Sequence, residues 1–159
     1  MMNIIHMMDN INKKILNILQ DNDKLSYHEI AKILDMAAST VHSRVKKMKK
    51  NGIIKSFSAI IEPEKVGYNT IAIIGLTVDA GIMRKVAQKI SSFKEVQILS
   101  TSTGDHDLIA LIIAQDEKSL WRFVNQRIKT IEGIESRMDV SSFIDVYKFS
   151  HAIKFNIAE

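Results

Sequence analysis

Apolar residues in the first third of the chain recur every three or four positions, which is the period of an amphipathic helix. The first such run follows Asp9, a suitable N-cap, and stops at Asp21-Asn22-Asp23. The second begins at Ser26, in a Ser-x-x-Glu sequence that has the spacing of a capping box. The third ends at Asn51-Gly52, where glycine can adopt the left-handed conformation common after a helix. The pattern therefore predicts three short helices in succession.

The third predicted helix has one apolar side and one polar, basic side. With about 100° of rotation per residue, Val41, Val45 and Met48 share a face that we expect to be buried. Two closely spaced helices followed by such a helix are the parts of a helix-turn-helix, whose last helix enters the major groove of DNA. Small serines let a backbone approach the bases, and lysines can neutralise phosphates. The candidate DNA-binding residues are Ser39, Thr40, His42, Ser43, Arg44, Lys46, Lys47 and Lys50.

Other structures would produce the same pattern in this part of the chain. A run of cations can be a solvated helix surface, and a generic three-helix bundle has the same periodicity. Residues 53–61 read as two short strands, which would form a wing with Lys55 near its tip. From the N-terminal residues alone, DNA binding and a purely structural bundle both stay open.

Beyond residue 70 the pattern changes to apolar strands that alternate with helices. The only proline, Pro63, lies where both periodicities fail, so we place a linker at residues 62–70. The order βαββαβ is that of a ferredoxin-like fold. The predicted fold class is α+β, with a winged helix-turn-helix domain at residues 1–61 and a βαββαβ domain at residues 71–159. Strand-like runs lie at residues 71–78, 96–103, 108–114 and 134–149, and helical stripes lie at residues 83–93 and 116–133.

The sheet of such a domain has a second face that needs a partner. Right-handed crossovers place both helices on one side of the sheet. Residues 108–114 are apolar at odd and even positions alike, as in a strand that is buried on both faces. We therefore expect another copy of the chain to cover the second face. A two-fold homodimer is the simplest closed arrangement, and it would present two N-terminal domains to a palindromic site in double-stranded DNA.

Charge and composition narrow the classes of function. Residues 1–61 contain ten Lys and Arg against five Asp and Glu, whereas residues 62–159 contain twelve against thirteen, so the positive charge is N-terminal and suits a polyanion. The absence of cysteine excludes Cys-ligated metals, thiol catalysis and disulfides. The histidines show no metal-ligand spacing, and no apolar run approaches the roughly 18 residues that span a bilayer. We expect a cytoplasmic protein without a cofactor, a metal or a membrane partner.

Four segments taken together resemble the Lrp/AsnC, or feast/famine, family of prokaryotic transcription regulators. They are residues 9–16, 43–55, 61–68 and 104–107, and the resemblance covers essentially residues 8–157. The resemblance implies a winged helix-turn-helix joined to an effector-binding βαββαβ domain of the RAM type. It also implies promoter DNA as a partner, dimers that often assemble into octamers, and small ligands, usually amino acids, bound where dimers meet.

The Gly-Asp-x-Asp motif of this family matches Gly104, Asp105 and Asp107 in this chain. The resemblance implies that the motif lines the effector site. This is chemically reasonable because a carboxylate can pair with the α-ammonium group of an amino acid through strong, charge-assisted bonds. From the residues alone, an ordinary Gly-Asp hairpin turn explains the motif as well.

The resemblance implies further contacts next to this motif. Family members also line the pocket from the last strand, which corresponds here to residues 138–142 and makes Asp139 and Ser141 candidates. His106 stands inside the motif, where its charge could make ligand binding sensitive to pH near neutrality. An exposed loop histidine without consequence is the other interpretation of that position.

Two other functions are alternatives to a regulator. Sirohaem decarboxylases have a similar fold, but a tetrapyrrole with many carboxylates needs clustered Arg and His, which residues 57–64 lack. A stand-alone amino-acid sensor would make the basic helix incidental. The residues and the resemblance together favour a sequence-specific, non-enzymatic DNA-binding regulator that responds to an amino acid or a related metabolite.

Overall fold

A computed structural model of the chain describes residues 8–22 and 24–157, apart from the side chain of Arg137. Residues 1–7 of the predicted first domain, and Asp23 at the predicted end of the first helix, lie outside this part. The chain forms two compact units. One comprises the residues up to Ala59 together with those from Lys148 onward, and the other comprises Ile60–Tyr147. Among the described residues, no helix is long and apolar enough to cross a membrane.

The described part of the N-terminal unit contains the three predicted helices, α1 (Asn10–Asp21), α2 (Tyr27–Ile33) and α3 (Ala38–Lys50). The predicted caps are confirmed, because Asp9 accepts a hydrogen bond from the backbone N–H of Asn12, and Ser26 forms both bonds of a capping box with Glu29. α3 begins without a side-chain cap, since an alanine stands at its N-cap position. The helices enclose a small apolar core whose fully buried members include Ile15, Ile30, Val41, Val45 and Met48.

The prediction of two short strands at residues 53–61 is wrong, because these residues form no strand. Ile54 is buried in the helical core, and its backbone N–H donates to the Met48 carbonyl. Ile53 is partly buried against the same core. Residues 55–61, including Lys55, are irregular and exposed, and Ile60 and Ile61 are 85% and 62% exposed. A strand needs a neighbour to pair its N–H and C=O groups, and no strand lies within the described residues of this unit. Strand-like composition could not reveal the missing neighbour.

Residues 148–157, here called the strap, pack against α1 within the same unit. The side-chain amide of Asn17 forms two hydrogen bonds with the backbone of Phe155, each 3.0 Å long. Gln20, one turn later, forms the same pair of bonds with Ile153, at 2.8 and 2.7 Å. Lys154 is ion-paired with Asp21, and the Phe155 ring packs against the helical core. The strap therefore supports the N-terminal unit, although it lies close to the other end of the described chain.

The C-terminal unit has the predicted βαββαβ order. The four strands form one antiparallel sheet in the order β2-β3-β1-β4, and a short 3-10 turn at Pro63–Val66 precedes them. The predicted α+β fold class is thus confirmed. The elements are β1 (Thr70–Val78), α4 (Met83–Ser91), β2 (Val96–Thr101), β3 (Leu108–Ala114), α5 (Glu117–Phe123), which continues into a π-helical turn (Val124–Ile128), and β4 (Ile134–Ser142).

The sheet has one face covered by helices and one open face. Alternate residues of β1 and β3, from Ala72 to Val78 and from Leu108 to Ala114, pack in one core with α4, α5 and the π-helical turn. Both helices therefore lie on the same side, as right-handed crossovers require. The open face is formed by the intervening residues, and on it Ile73, Ile98 and Ile109 are 38%, 48% and 37% exposed. This face is the apolar surface that the sequence predicts.

The last strand is shorter than the predicted run of residues 134–149. β4 ends at Ser142, which pairs with Ala72 of β1. One further bond runs from the Phe143 N–H to the Ile71 carbonyl, and β1 itself begins at Thr70. β4 ends because its neighbouring strand ends, and residues 143–149 are irregular and exposed.

Candidate nucleic-acid interface and effector loop

The outward side of α3 carries the predicted DNA-binding residues. The apolar stripe of the same helix is buried, with 0%, 1% and 0% exposure for Val41, Val45 and Met48, so the helical angle places each residue on the predicted side. Arg44 is half-buried between the two sides. The exposed candidates are Ser39, Thr40, His42, Ser43, Lys46, Lys47 and Lys50.

A shallow cavity of about 490 Å³ separates this side of α3 from the beginning of α1. On the α3 side, two serines and a threonine contribute small, polar side chains to the lining. Arg44 and Asp9 both line the cavity and are in contact with each other at the junction of the two helices. The lining residues are Asp9, Asn12, Ser39, Thr40, Ser43, Arg44, Lys47 and Met48.

Arg44 is held in this cavity by α1. Its Nη1 donates to Asp9 Oδ2 at 2.6 Å and to Asn12 Oδ1 at 3.0 Å. The other carboxylate oxygen of Asp9 accepts the Asn12 N–H at 2.7 Å, which is the N-cap bond of α1. Partial burial raises the pKa of the Asp9 carboxyl, but the bonds from Asn12 and Arg44 outweigh it and keep the pKa below its ordinary value. Asp9 therefore joins the start of α1 to the middle of α3 as a charged carboxylate.

Aromatic contacts flank the basic side of α3. The His42 ring lies 5.5 Å from the ring of Tyr27 in α2, measured between centroids. The Lys49 ammonium lies 5.4 Å from the ring centroid of Phe57, which follows the helix. These contacts restrict His42 and Lys49 while leaving the lysines on the outward side exposed.

The Gly-Asp-x-Asp loop folds back onto the end of β1. The backbone N–H of Asp107 donates to the Leu76 carbonyl at 3.0 Å, and the Asp107 carboxylate accepts the Val78 N–H at 2.9 Å. At the other end of the loop, the Gly104 N–H donates to the Ser102 hydroxyl at 3.2 Å. Asp107 thus serves to hold the loop, as in the hairpin interpretation of the motif.

His106 lies on the open face of the sheet, against Gly75 of β1. Its Nε2 is 3.0 Å from the carboxylate of Asp139, the residue opposite Gly75 in β4. A Cβ at position 75 would lie 2.2 Å from the imidazole, so only glycine leaves room for this ring. Nδ1 is buried and has no hydrogen-bond partner among the described residues. His106 is therefore not the exposed loop histidine of the alternative interpretation.

The structure brings some of the predicted effector residues together and keeps others apart. His106 and Asp139 touch, whereas Ser141 lies opposite Ile73 on the open face, two positions along β4 from Asp139. Asp105 is exposed, and its carboxylate has no partner in the part of the chain that the structure describes. Asp105 is consequently the loop carboxylate that is accessible to a ligand.

Sequence reasoning missed three residues that shape these two sites. Asp9 was recognised only as an N-cap, and Asn12 was assigned no role, yet both hold Arg44. Gly75 seats His106. A glycine inside an apolar strand was the signal that could have indicated a close approach at position 75.

Comparisons with known proteins agree with both units. Residues 8–55 match a winged helix-turn-helix DNA-binding family, and residues 71–152 match the Lrp/AsnC ligand binding domain. The chain belongs to the Lrp/AsnC family. The predicted family is thereby confirmed, and the two units are those of a DNA-binding transcriptional regulator with an effector-binding domain.

Two relatives of this Lrp/AsnC regulator match 80% or more of its length. An uncharacterised HTH-type transcriptional regulator of Pyrococcus furiosus is 40% identical over 149 residues, which cover 94% of this chain and 100% of the relative. The HTH-type transcriptional regulator FL11 of the same organism is 38% identical over 128 residues, or 80% of this chain and 84% of the relative.

Solved structures show the same fold. AsnC of E. coli has a TM-score of 0.86 and 27% identity, covering 92% of this chain and 98% of that chain. A transcriptional regulator of Neisseria meningitidis, solved as a complex with L-Met, has a TM-score of 0.85 and 22% identity, covering 92% and 96% of the two chains. No group of three or more potential metal ligands occurs among the described residues of the Lrp/AsnC regulator.

Proposed function

We propose that this Lrp/AsnC regulator binds a palindromic operator in double-stranded promoter DNA as a two-fold dimer, and that an amino acid bound near residues 104–107 changes its DNA occupancy. The observation that carries the proposal is the outward side of α3, where exposed serines in the first half of the helix are followed by exposed lysines in the second half. Serines allow close approach to base edges and lysines neutralise phosphates, so this side combines sequence reading with electrostatic attachment.

A second copy of the chain is the partner that the open face of the sheet favours. Ile73, Ile98 and Ile109 expose apolar surface there. A two-fold axis through the face would pack identical apolar patches against each other, which is the self-complementary contact of a C2 dimer. Dimers of this family often assemble further into octamers, and we propose the same for this chain. An effector bound at a dimer–dimer contact would then change the affinity for DNA by linkage.

Asp105 is the group that favours an amino-acid effector. Its exposed carboxylate suits an α-ammonium group, with which it can form a charge-assisted hydrogen bond. The L-Met complex of the Neisseria meningitidis regulator supports the same class of ligand for this fold. The proposed effector is therefore an amino acid or a close metabolite.

The DNA-binding part is tested by footprinting the full chain on its own upstream promoter, together with sedimentation at micromolar concentration. The proposal expects a protected site with two-fold symmetry and a dimer or a multiple of it. Absence of protection at every ionic strength, or a stable monomer, would contradict it.

The effector part is tested by a thermal-shift screen of the standard amino acids, repeated with promoter DNA present. A ligand that raises the melting temperature of the wild type should have no effect on Asp105→Asn. Asp145→Asn, which changes another exposed carboxylate in the same way, is the matched control and should keep the shift. A shift that survives Asp105→Asn would show that the loop is not the site.

A further inference from the structure

Arg44 differs from the other cations of α3 because α1 fixes its position. Its side chain is 28% exposed and is hydrogen-bonded to two residues of α1, whereas Lys46 and Lys50 are exposed. A cation that is paired with a carboxylate at 2.6 Å gains less from a phosphate than a solvated lysine does. Arg44 is therefore a poor candidate for simple charge neutralisation.

The way in which Arg44 is held leaves one edge of its guanidinium for another partner. Arginine has five N–H donors, two on each Nη and one on Nε. Nη1 donates both hydrogen bonds, one to the Asp9 carboxylate and one to Asn12 Oδ1. Within residues 8–22 and 24–157, no hydrogen bond uses Nε or Nη2 of Arg44. These two nitrogens form the fork that binds two acceptors at once.

The surroundings of Arg44 suit a base edge. The guanidinium lines the cavity together with Ser39, Thr40 and Ser43, whose short side chains leave space beside α3. Guanine presents two acceptors, O6 and N7, in the major groove, and a bidentate arginine is the commonest specific contact to them. A phosphate would compete with the carboxylate of Asp9, whereas neutral guanine would not.

We propose that Arg44 reads a guanine in the operator through Nε and Nη2, and that Asp9 and Asn12 are positioning residues that hold it for this contact. The inference rests on the proposed DNA-binding function of α3 and names the base that one of its residues recognises. It also gives Asp9 a role beyond capping α1.

The test begins with selection of preferred duplexes from a random-sequence library by the full-length wild type. A guanine in each half-site should be enriched, and replacing it should weaken binding by roughly 5- to 150-fold. Arg44→Lys keeps the charge but loses the fork, so it should bind all four bases at that position almost equally. Its affinity for a scrambled duplex should change far less than its affinity for the selected duplex, and its melting temperature reports separately any loss of the bonds to Asp9 and Asn12. Arg122→Lys, the same change at an exposed position in α5, should keep the guanine preference.

A modified base distinguishes a direct contact between Arg44 and guanine from a purely structural role of Arg44. Replacement of the selected guanine by 7-deazaguanine removes the N7 acceptor, so it should weaken the wild type and leave Arg44→Lys unchanged. A merely structural bridge between α1 and α3 would not respond to this atom. Equal sensitivity of the two proteins, or a guanine preference that survives Arg44→Lys, overturns the inference while leaving DNA binding intact.

Asp9→Asn tests the positioning role, because asparagine keeps the N-cap bond but removes the negative charge. The guanine preference should fall, and the dependence of affinity on salt should steepen by up to about 0.9, because the released guanidinium can meet a phosphate. An unchanged preference with an unchanged salt slope overturns the role of Asp9. If the wild type enriches no sequence at all, the proposed sequence-specific function fails together with this inference.

Discussion

The outward side of α3 and the loop at residues 104–107 both present polar side chains that are candidates for binding. They differ in how many of these side chains already form contacts within the protein. On α3 the lysines and serines are exposed, whereas Arg44 is hydrogen-bonded to Asp9 and Asn12 at the start of α1. In the loop, Asp107 is bonded to β1 and His106 is held between Gly75 and Asp139. A helix satisfies its own backbone and leaves its side chains for a partner, whereas a loop uses side chains to fix its conformation.

The largest effect is expected where the loop is seated on the sheet. In Gly75→Ala the new Cβ would overlap the imidazole of His106, so the ring must leave and its contact with Asp139 is lost. We expect the free energy of unfolding to fall by about 1–3 kcal/mol, the usual cost of overpacking. Chemical denaturation of the whole chain measures it. The double variant Gly75→Ala/His106→Ala should be no less stable than His106→Ala, and an additive loss in the double variant would show that the ring is not seated on position 75.

A smaller effect is expected on the outward side of α3, where the lysine side chains are exposed. Lys46→Ala should reduce the slope of log affinity against log salt by about 0.9, because one phosphate contact is lost, while stability changes by less than about 0.5 kcal/mol. Fluorescence anisotropy on operator DNA at several salt concentrations measures the slope. Lys118→Ala, at an exposed position in α5, is the control and should leave the slope unchanged. If both variants bind as the wild type does, the outward side of α3 is not the DNA surface.

The smallest effect concerns the acid response of Asp9. Hydrogen bonds keep its pKa below the ordinary value in the folded state, so its charged form favours folding. That stabilisation is present above about pH 4 and is lost as the pH falls through the folded-state pKa. Asp9→Asn should therefore melt below the wild type near pH 7, and the difference should shrink progressively as the pH falls below about 4. Asp145→Asn, which removes an exposed carboxylate, should show no such convergence. A difference that stays constant with pH would mean that the charge of Asp9 does not support the fold.

The parts of the fold that sequence predicted are those fixed by local patterns. The caps at Asp9 and Ser26, the buried stripe of α3 and the order of strands follow from spacing within a few residues. Residues 53–61 look strand-like, but strand formation depends on a neighbour that a local pattern does not contain. The same dependence on a neighbour explains why β4 is shorter than predicted, because β4 stops where the paired strand β1 begins.

The candidate sites were predicted as sets of residues but not as contacts. The angle of α3 indicated which lysines are exposed, yet the bond between Asp9 and Arg44 joins positions 35 apart and has no periodic signature. His106 and Asp139 are on separate elements and meet because β4 pairs beside Gly75. Which charges stay free for a ligand depends on such pairings, and these follow only from the assembled fold.

Because the strap is hydrogen-bonded to α1, the folding of the first helix depends on residues close to the other end of the described chain. Asn17 and Gln20 bind backbone groups that lie 138 and 133 positions downstream, so a growing polypeptide makes these bonds only after the whole sheet unit has been synthesised. Truncation after Tyr147, or a bulky fusion placed near Ile157, would consequently act first on the helices of the N-terminal unit.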